Sequence, residues 1–201
     1  LESYPQSLVV INILGAAKKA QGKFEEAITA YNKALLIEPD YAEAHSNMGT
    51  TFEAQGKLEE AIAAYNKALV IEPDYAEAHY NMGAALEGQG KFEEAITAYN
   101  KALLIKPGLP EAHNNMGIAL KGLGRLNDAI KSYERAIQLR PDYAEAYNNL
   151  GNTLKELGRL SDAVKSCEKA IQLRPGYAEA HNNMGNALQE LGQVCEAVAS
   201  Y

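Results

Sequence analysis

Asparagine recurs at a fixed interval along this sequence of 201 residues, and its side-chain amide could hold the backbone of another chain. The residues concerned are Asn47, Asn81, Asn115, Asn149 and Asn183, each 34 positions after the one before. An amide offers a hydrogen-bond donor and an acceptor together, so it can pair with a peptide C=O and N–H whatever the peptide's side chains. We predict that this row binds an extended peptide. The alternative is that the amides bond to neighbouring helices and hold the fold together.

Other polar and aromatic side chains lie beside this row and extend the predicted binding surface. The further predicted peptide-binding residues are Tyr80, Asn114, Asn148, Asn152, Asn182 and Asn186. Charged residues recur nearby and are expected to provide selectivity; they are Glu43, Glu77, Glu111, Glu145, Glu179, Lys121 and Lys155.

Histidine and cysteine could bind a metal, but their spacing argues against it. His45, His79, His113 and His181 stand at one phase of the sequence, on what we predict to be successive helices. Such helices pack about 8–10 Å apart, too far for two histidines to share one ion. Cys167 and Cys195 lack the paired spacing and the His/Cys cluster that zinc requires. We therefore predict packed histidines, free thiols in a reducing compartment and no metal or other cofactor.

Catalysis requires a nucleophile, a base or a metal to converge on one point. Here every candidate residue recurs along the chain instead of converging with others. The sequence therefore predicts a protein that is not an enzyme.

A 34-residue repeat positions all of these residues. Prolines mark it at residues 5, 39, 73, 107, 141 and 175. A period of this size is typical of stacked repeats, each of which contacts only its neighbours. The predicted repeats are residues 8–41, 42–75, 76–109, 110–143, 144–177 and a partial one at 178–201, forming a single array. Residues 1–7 are expected to be the tail of a preceding repeat or a cloning remnant. Positions below are counted from the first residue of each repeat.

Each repeat is expected to contain two helices. Within 42–75, apolar residues follow steps of three and four in both halves, as on a helix with one buried stripe. Asp40 followed by Glu43 resembles a capping box at the start of the first helix, and Asp74 and Asp142 repeat the pattern. Glycines of one set, such as Gly56, should close the first helix. Those of a second set, such as Gly49, lie inside it, and close approach of small residues such as Ala61 is the expected reason.

These features resemble the tetratricopeptide repeat family: a 34-residue period, Leu or Met before Gly in the first helix, Ala, Tyr and Ala in the second, and a closing Pro. The resemblance implies an all-α, right-handed superhelical solenoid of antiparallel helix pairs, with first helices lining a concave groove that binds extended peptides or helices. The Lys and Arg residues with which one chaperone-binding subgroup clamps a terminal carboxylate are absent from the matching positions.

A closer likeness than that subgroup is to the repeats of O-linked N-acetylglucosamine transferase and related bacterial proteins, where asparagines form a ladder along the inner face. Asn149-Leu150-Gly151 and Asn183-Met184-Gly185 carry this likeness.

Charge and hydropathy narrow the set of partners. The chain has 26 acidic and 19 basic residues and a net charge of −7, whereas a nucleic-acid groove requires a basic stripe. The acidic residues are concentrated in 42–75, which holds six acids against two bases. No apolar run approaches the ~18 residues of a membrane span, and no secretory signal is evident. We predict a cytoplasmic protein that binds a protein or peptide and does not insert into a membrane.

Three functions fit the sequence. The first is a scaffold that holds an extended segment of a partner, and the second is the substrate-recruiting region of a larger, glycosyltransferase-like enzyme. The third is a self-assembling array, because the apolar residues Val9 and Ile13 replace Glu and Asn of later repeats at an end that another copy would cover.

Overall fold

The computed structural model describes residues 8–193 together with 195 and 197, and all regular structure in these residues is helical. The first helix of each repeat, here called its A helix, is α1 (Leu8–Ala20), α3 (Ala42–Ala54), α5 (Ala76–Gly88), α7 (Pro110–Gly122), α9 (Ala144–Glu156) and α11 (Ala178–Glu190). The second, or B helix, is α2 (Phe24–Ile37), α4 (Leu58–Ile71), α6 (Phe92–Ile105), α8 (Leu126–Leu139) and α10 (Leu160–Leu173). The prediction of an all-α fold is confirmed, as are the two helices expected in each of the five complete repeats.

The helices form two compact halves, the first ending at Ile105 and the second beginning at Lys106. Within each half, every A helix packs against its own B helix, and each B helix packs against the next A helix. Because only a three-residue turn separates an A helix from its B helix, the pair is antiparallel. The only longer-range packing among the described helices joins consecutive A helices.

The turn between paired helices depends on a left-handed glycine. Gly56 has φ +74°, a conformation that a side chain would disfavour. Its N–H donates to the carbonyl of Glu53 at 2.8 Å, and the N–H of Lys57 donates to that of Phe52 at 2.9 Å. These bonds satisfy carbonyls that the helix end would leave unpaired. The predicted role of this glycine set is confirmed.

The capping box predicted at Asp40, Asp74 and Asp142 is not formed. The residue before each of these helices is a tyrosine, and no side chain caps the helix. Tyr41 has φ −88° and ψ 89°, so the extended turn falls one residue later than the pattern indicated. The Tyr41 hydroxyl instead donates to Glu43 Oε2 at 2.9 Å.

Alanine and tyrosine form the core, and each core cluster joins consecutive repeats. One cluster contains Ala61 and Tyr65 of one repeat and Ala85 of the next. The tyrosines at position 24 of the first four repeats, which include Tyr65 and Tyr99, are fully buried. They explain the glycine inside α1, α3, α5 and α7: a Cβ on Gly83, for example, would lie 2.6 Å from Tyr99 Cε1. The predicted close approach is present, but its nearest partner is the tyrosine ring and not the alanine.

Apolar side chains remain exposed on α1. Val9, Val10 and Ile13 are 55%, 60% and 60% exposed, which matches the sequence expectation for the start of the chain. Covering of this surface by another copy stays a prediction. Residues 1–7 and most residues after 193 lie outside the described part of the chain. No described helix is long and apolar enough to cross a membrane.

Candidate functional site

The asparagine row bonds to neighbouring A helices. Asn47 Nδ2 donates to Asn12 Oδ1 at 3.1 Å in the first half of the chain. In the second half, Asn149 donates to Asn114 Oδ1 at 3.0 Å, and Asn183 donates to Asn148 Oδ1 at 2.9 Å. An asparagine at position 6 thus donates to an asparagine at position 5 of the preceding repeat. Each such bond, here called a rung, links two consecutive A helices.

Burial separates the two sets of asparagines. The acceptors Asn12, Asn114 and Asn148 are only 3–4% exposed, because the next A helix lies over them. The donors Asn47, Asn149 and Asn183 are half-buried. Asn114 and Asn148, which were expected to contact a peptide, lie between helices and accept from the amides that reach the surface. Their contact with a peptide stays a prediction.

Asn81 has no rung. The residue at position 5 of the preceding repeat is Ser46, and the described structure gives the Asn81 side chain no hydrogen bond. Asn81 is half-buried, so both its N–H groups and its carbonyl oxygen remain available. The described part of the chain therefore presents one asparagine of the row, Asn81, with its pairing capacity unused.

The other predicted contact residues lie around the row. Asn115 is half-buried and accepts a hydrogen bond from Asn114 Nδ2 at 3.2 Å. Asn152 and Asn186 are half-buried one turn beyond the row, and Asn182 is exposed. Tyr80 takes position 5 of its repeat, and its ring centroid lies 6.0 Å from that of Tyr99. Tyr80 is half-buried, so one part of its ring packs inward while another faces solvent.

Two of the glutamates at position 2 form ion pairs within the protein. In the second half, Glu111 pairs with Arg140 and Glu145 pairs with Arg174. Burial alone would raise the pKa of Glu111, but the hydrogen bond from Arg140 lowers it below its usual value. Lys121, another expected selectivity residue, pairs with Glu156 at 2.8 Å. Several charges expected to select a partner in the second half are thus already neutralised within the protein.

The arginines are functional candidates that the sequence reading missed. The guanidinium carbon of Arg140 lies 4.7 Å from the centroid of the Tyr143 ring, and that of Arg174 lies 4.8 Å from the centroid of Tyr177. The available signal was the recurrence of Arg 29 residues after Glu in two consecutive repeats. Without a structure, that spacing does not show that the two residues meet.

The histidines at position 4 bond to the turn before their helix. His79 Nε2 lies 2.9 Å from the carbonyl oxygen of Pro73, and His181 Nε2 lies 2.9 Å from that of Pro175. A carbonyl only accepts, so Nε2 carries the proton. Among the described residues, no three His, Cys, Asp or Glu side chains are grouped to hold a metal ion. The structure gives each of these histidines a packing role.

The two cysteines are far from equivalent. Cys167 is fully buried at the position where other repeats carry tyrosine, and burial raises the pKa of its thiol to about 11. Cys195 is exposed, and both thiols are free.

Comparisons with known proteins agree with this architecture. A family model described as TPR repeat matches residues 15–56, 51–90, 88–124 and 122–158. Two models described as tetratricopeptide repeat match residues 144–177 and 166–199. No curated protein sequence matches the chain.

Solved structures share the fold. One of MamA is 29% identical, with a TM-score of 0.76, over 82% of this chain and 96% of the other. PilF of Pseudomonas aeruginosa is 21% identical, with a TM-score of 0.86, over 98% and 89%. YrrB, described as a TPR protein with an unusual peptide-binding site, is 21% identical, with a TM-score of 0.73, over 88% and 91%.

Proposed function

Because the chain belongs to the tetratricopeptide repeat family, we propose that it is a protein-binding scaffold that holds an extended segment of a partner against the exposed face of its A helices. YrrB supports this proposal by showing that the fold can carry a peptide-binding site. The finer likeness to the ladder repeats of the transferase stays a prediction, as does recruitment of substrates to a larger enzyme.

Asn81 is the observation that carries the proposal. Its amide is half-buried and makes no hydrogen bond in the described structure. A ligand that covers such an amide is favoured when it completes the amide's hydrogen bonds. The rungs on Asn47 and Asn149 occupy a single N–H of each amide. The second N–H and the carbonyl oxygen remain available to a peptide backbone.

The spacing of the A helices suits an extended ligand. Consecutive A helices pack on the order of 10 Å apart, and an extended chain advances about 3.3 Å per residue. One asparagine then meets roughly every third peptide residue. Since the amide pairs with the backbone, binding should tolerate many sequences, and neighbouring side chains such as Tyr80 should supply selectivity.

A pair of substitutions tests the proposal, because one asparagine has a rung and the other has none. Asn81→Ala should weaken the capture of an extended peptide by about 2- to 10-fold, the value of one hydrogen bond, and leave the melting temperature unchanged. Asn149→Ala should lower the melting temperature, because it removes a bond between helices and leaves Asn114 Oδ1 buried without that donor. The probes are unstructured peptides selected from a random array, measured by fluorescence polarisation.

The two outcomes separate the proposal from its alternative. If the wild-type chain captures no peptide from the array, or if Asn81→Ala binds peptides at full strength, the row does not bind a peptide and its rungs serve only to join helices.

A further inference from the structure

Two repeats of the second half hold one of their own arginines in a small cradle. In each, the guanidinium lies over the ring of the tyrosine at position 34 and pairs with the glutamate at position 2. The two cradles consist of Glu111 and Tyr143 around Arg140, and of Glu145 and Tyr177 around Arg174. The arginine itself stands at position 31.

The repeat 42–75 has the same cradle without the arginine. Glu43 stands at position 2 and Tyr75 at position 34, but position 31 is Glu72. The backbone is alike in both cases: Tyr75 has φ −82° and ψ 89°, and Tyr177 has φ −81° and ψ 85°. Glu72 (φ −126°, ψ 89°) likewise follows its helix as Arg174 (φ −140°, ψ 91°) does. The backbone that surrounds a guanidinium in two repeats of the second half is therefore also present in repeat 42–75.

The charged groups that shift the pKa of the Tyr75 hydroxyl are acids, whereas those that act on Tyr177 include a cation. Burial and the nearby Glu43, Glu77 and Glu72 raise the pKa of the Tyr75 hydroxyl, against a hydrogen bond with Ser46 that lowers it. Around Tyr177, the corresponding residues are Glu145, Glu179 and the cationic Arg174. Glu43 and Glu72 are exposed, and neither makes an ion pair in the described structure. The acidic side chains are not grouped to hold a metal ion.

We propose that Glu43, Tyr75 and Glu72 form a binding site for a guanidinium group, filled by an arginine side chain of the bound partner. The inference rests on the proposed function, because the site borders the asparagine row: Glu43 lies about one helical turn before Asn47 on α3. Arginine fits better than lysine because its planar group stacks on an aromatic face and pairs bidentately with a carboxylate. The acidic repeat 42–75 would thus bind an arginine side chain of the partner.

The experiment uses the whole protein with a blocked tripeptide, acetyl-Gly-Arg-Gly-amide, as the probe. Nuclear magnetic resonance at low ionic strength should show saturable shifts of the Tyr75 ring and of the 43 and 72 backbone amides. The matched lysine tripeptide should bind several-fold more weakly, and the citrulline tripeptide, which lacks the charge, weaker still. Equal responses to the arginine and lysine probes would overturn the proposal, as would the absence of any response at Tyr75.

Two reciprocal variants provide the control. Glu72→Arg supplies the cradle with an internal arginine, so it should abolish the Tyr75 response while the protein stays folded. Arg174→Glu empties the cradle of Tyr177, which should then acquire the response that it lacks in the wild-type protein. A response of Tyr75 that persists in Glu72→Arg would assign the shifts to non-specific charge attraction.

Failure of this inference can be told from failure of the proposed function. If the guanidinium site is absent but the scaffold proposal holds, array peptides bind with no preference for arginine. If the scaffold proposal fails, no array peptide is captured even though the tripeptide still shifts Tyr75.

Discussion

At the scale of single residues, the contact between glycine at position 8 and the aromatic ring at position 24 governs how closely paired helices approach. Tyr99 is fully buried, and its hydroxyl donates to Glu87 Oε2 at 2.9 Å. This bond and the packing of Tyr80 against the ring hold Tyr99 in place. The ring therefore cannot move aside for a side chain on the facing helix.

Gly83→Ala should destabilise the protein by about 1–3 kcal/mol, the usual effect of overpacking, because the new Cβ would lie 2.6 Å from Tyr99 Cε1. Gly88→Ala, on the same helix, provides the control. Its Cβ would meet only the flexible end of Leu58 at 3.1 Å, so the better helix propensity of alanine should leave stability equal or slightly higher. Thermal unfolding measures both, and equal melting temperatures for the two variants would show that the ring does not set the approach of the helices.

At the scale of helices, the histidine at position 4 ties each A helix to the turn that precedes it. His45 Nε2 lies 3.2 Å from the Pro39 carbonyl oxygen, and the Pro107 carbonyl bonds to His113 in the same way. Burial lowers the pKa of both histidines; Lys67 and Arg135 lower it further, whereas the proline carbonyls and Asp40 raise it. Protonation of His113 would also add a proton to Nδ1, which is buried without a partner.

Burial of these histidines predicts a loss of stability in mild acid. With folded pKa values below the ordinary value of about 6.5, the contribution is complete above pH 6.5 and is lost as pH falls from there through the folded values, because the unfolded chain binds protons first. Denaturant unfolding at a series of pH values measures the slope. The double variant His45→Tyr and His113→Tyr, which introduces the residue found at this position as Tyr147, should flatten the slope above the carboxylate range near pH 4.5. An unchanged slope would show that groups other than these two histidines cause the dependence of stability on pH.

The helices were predictable from the sequence, whereas most side-chain contacts were not. Apolar spacing and recurring glycines define helix pairs because those signals are local. The prediction of a capping box at Asp40 was wrong because the extended residue Tyr41 moves the start of the helix by one position. The sequence pattern is the same in either case. The burial of Asn114 depends on which face the next helix covers, and Arg140 meets Glu111 only once the two helices have packed. Contacts of this kind require the stacking geometry, which periodicity does not supply.

At the scale of the whole molecule, the described helices contact only helices of their own or the adjacent repeat. Stability should therefore be an approximate sum over repeats and the interfaces between them. A protein comprising residues 42–177 should keep its helical circular dichroism per residue and melt at a lower temperature than the full chain. Loss of that helical signal would show that the terminal repeats contribute more than their nearest-neighbour contacts.

The rungs also bear on how such a chain can lengthen. Each rung joins residues 35 positions apart, one more than the repeat length. When a gene segment encoding 144–177 is duplicated in tandem, the copy carries both Asn148 and Asn149, so a new rung forms at the junction without further mutation. A copy of 76–109 would present Tyr80 where the acceptor should be. Unequal recombination would thus yield an Asn–Asn rung from one repeat and a Tyr–Asn pair from the other.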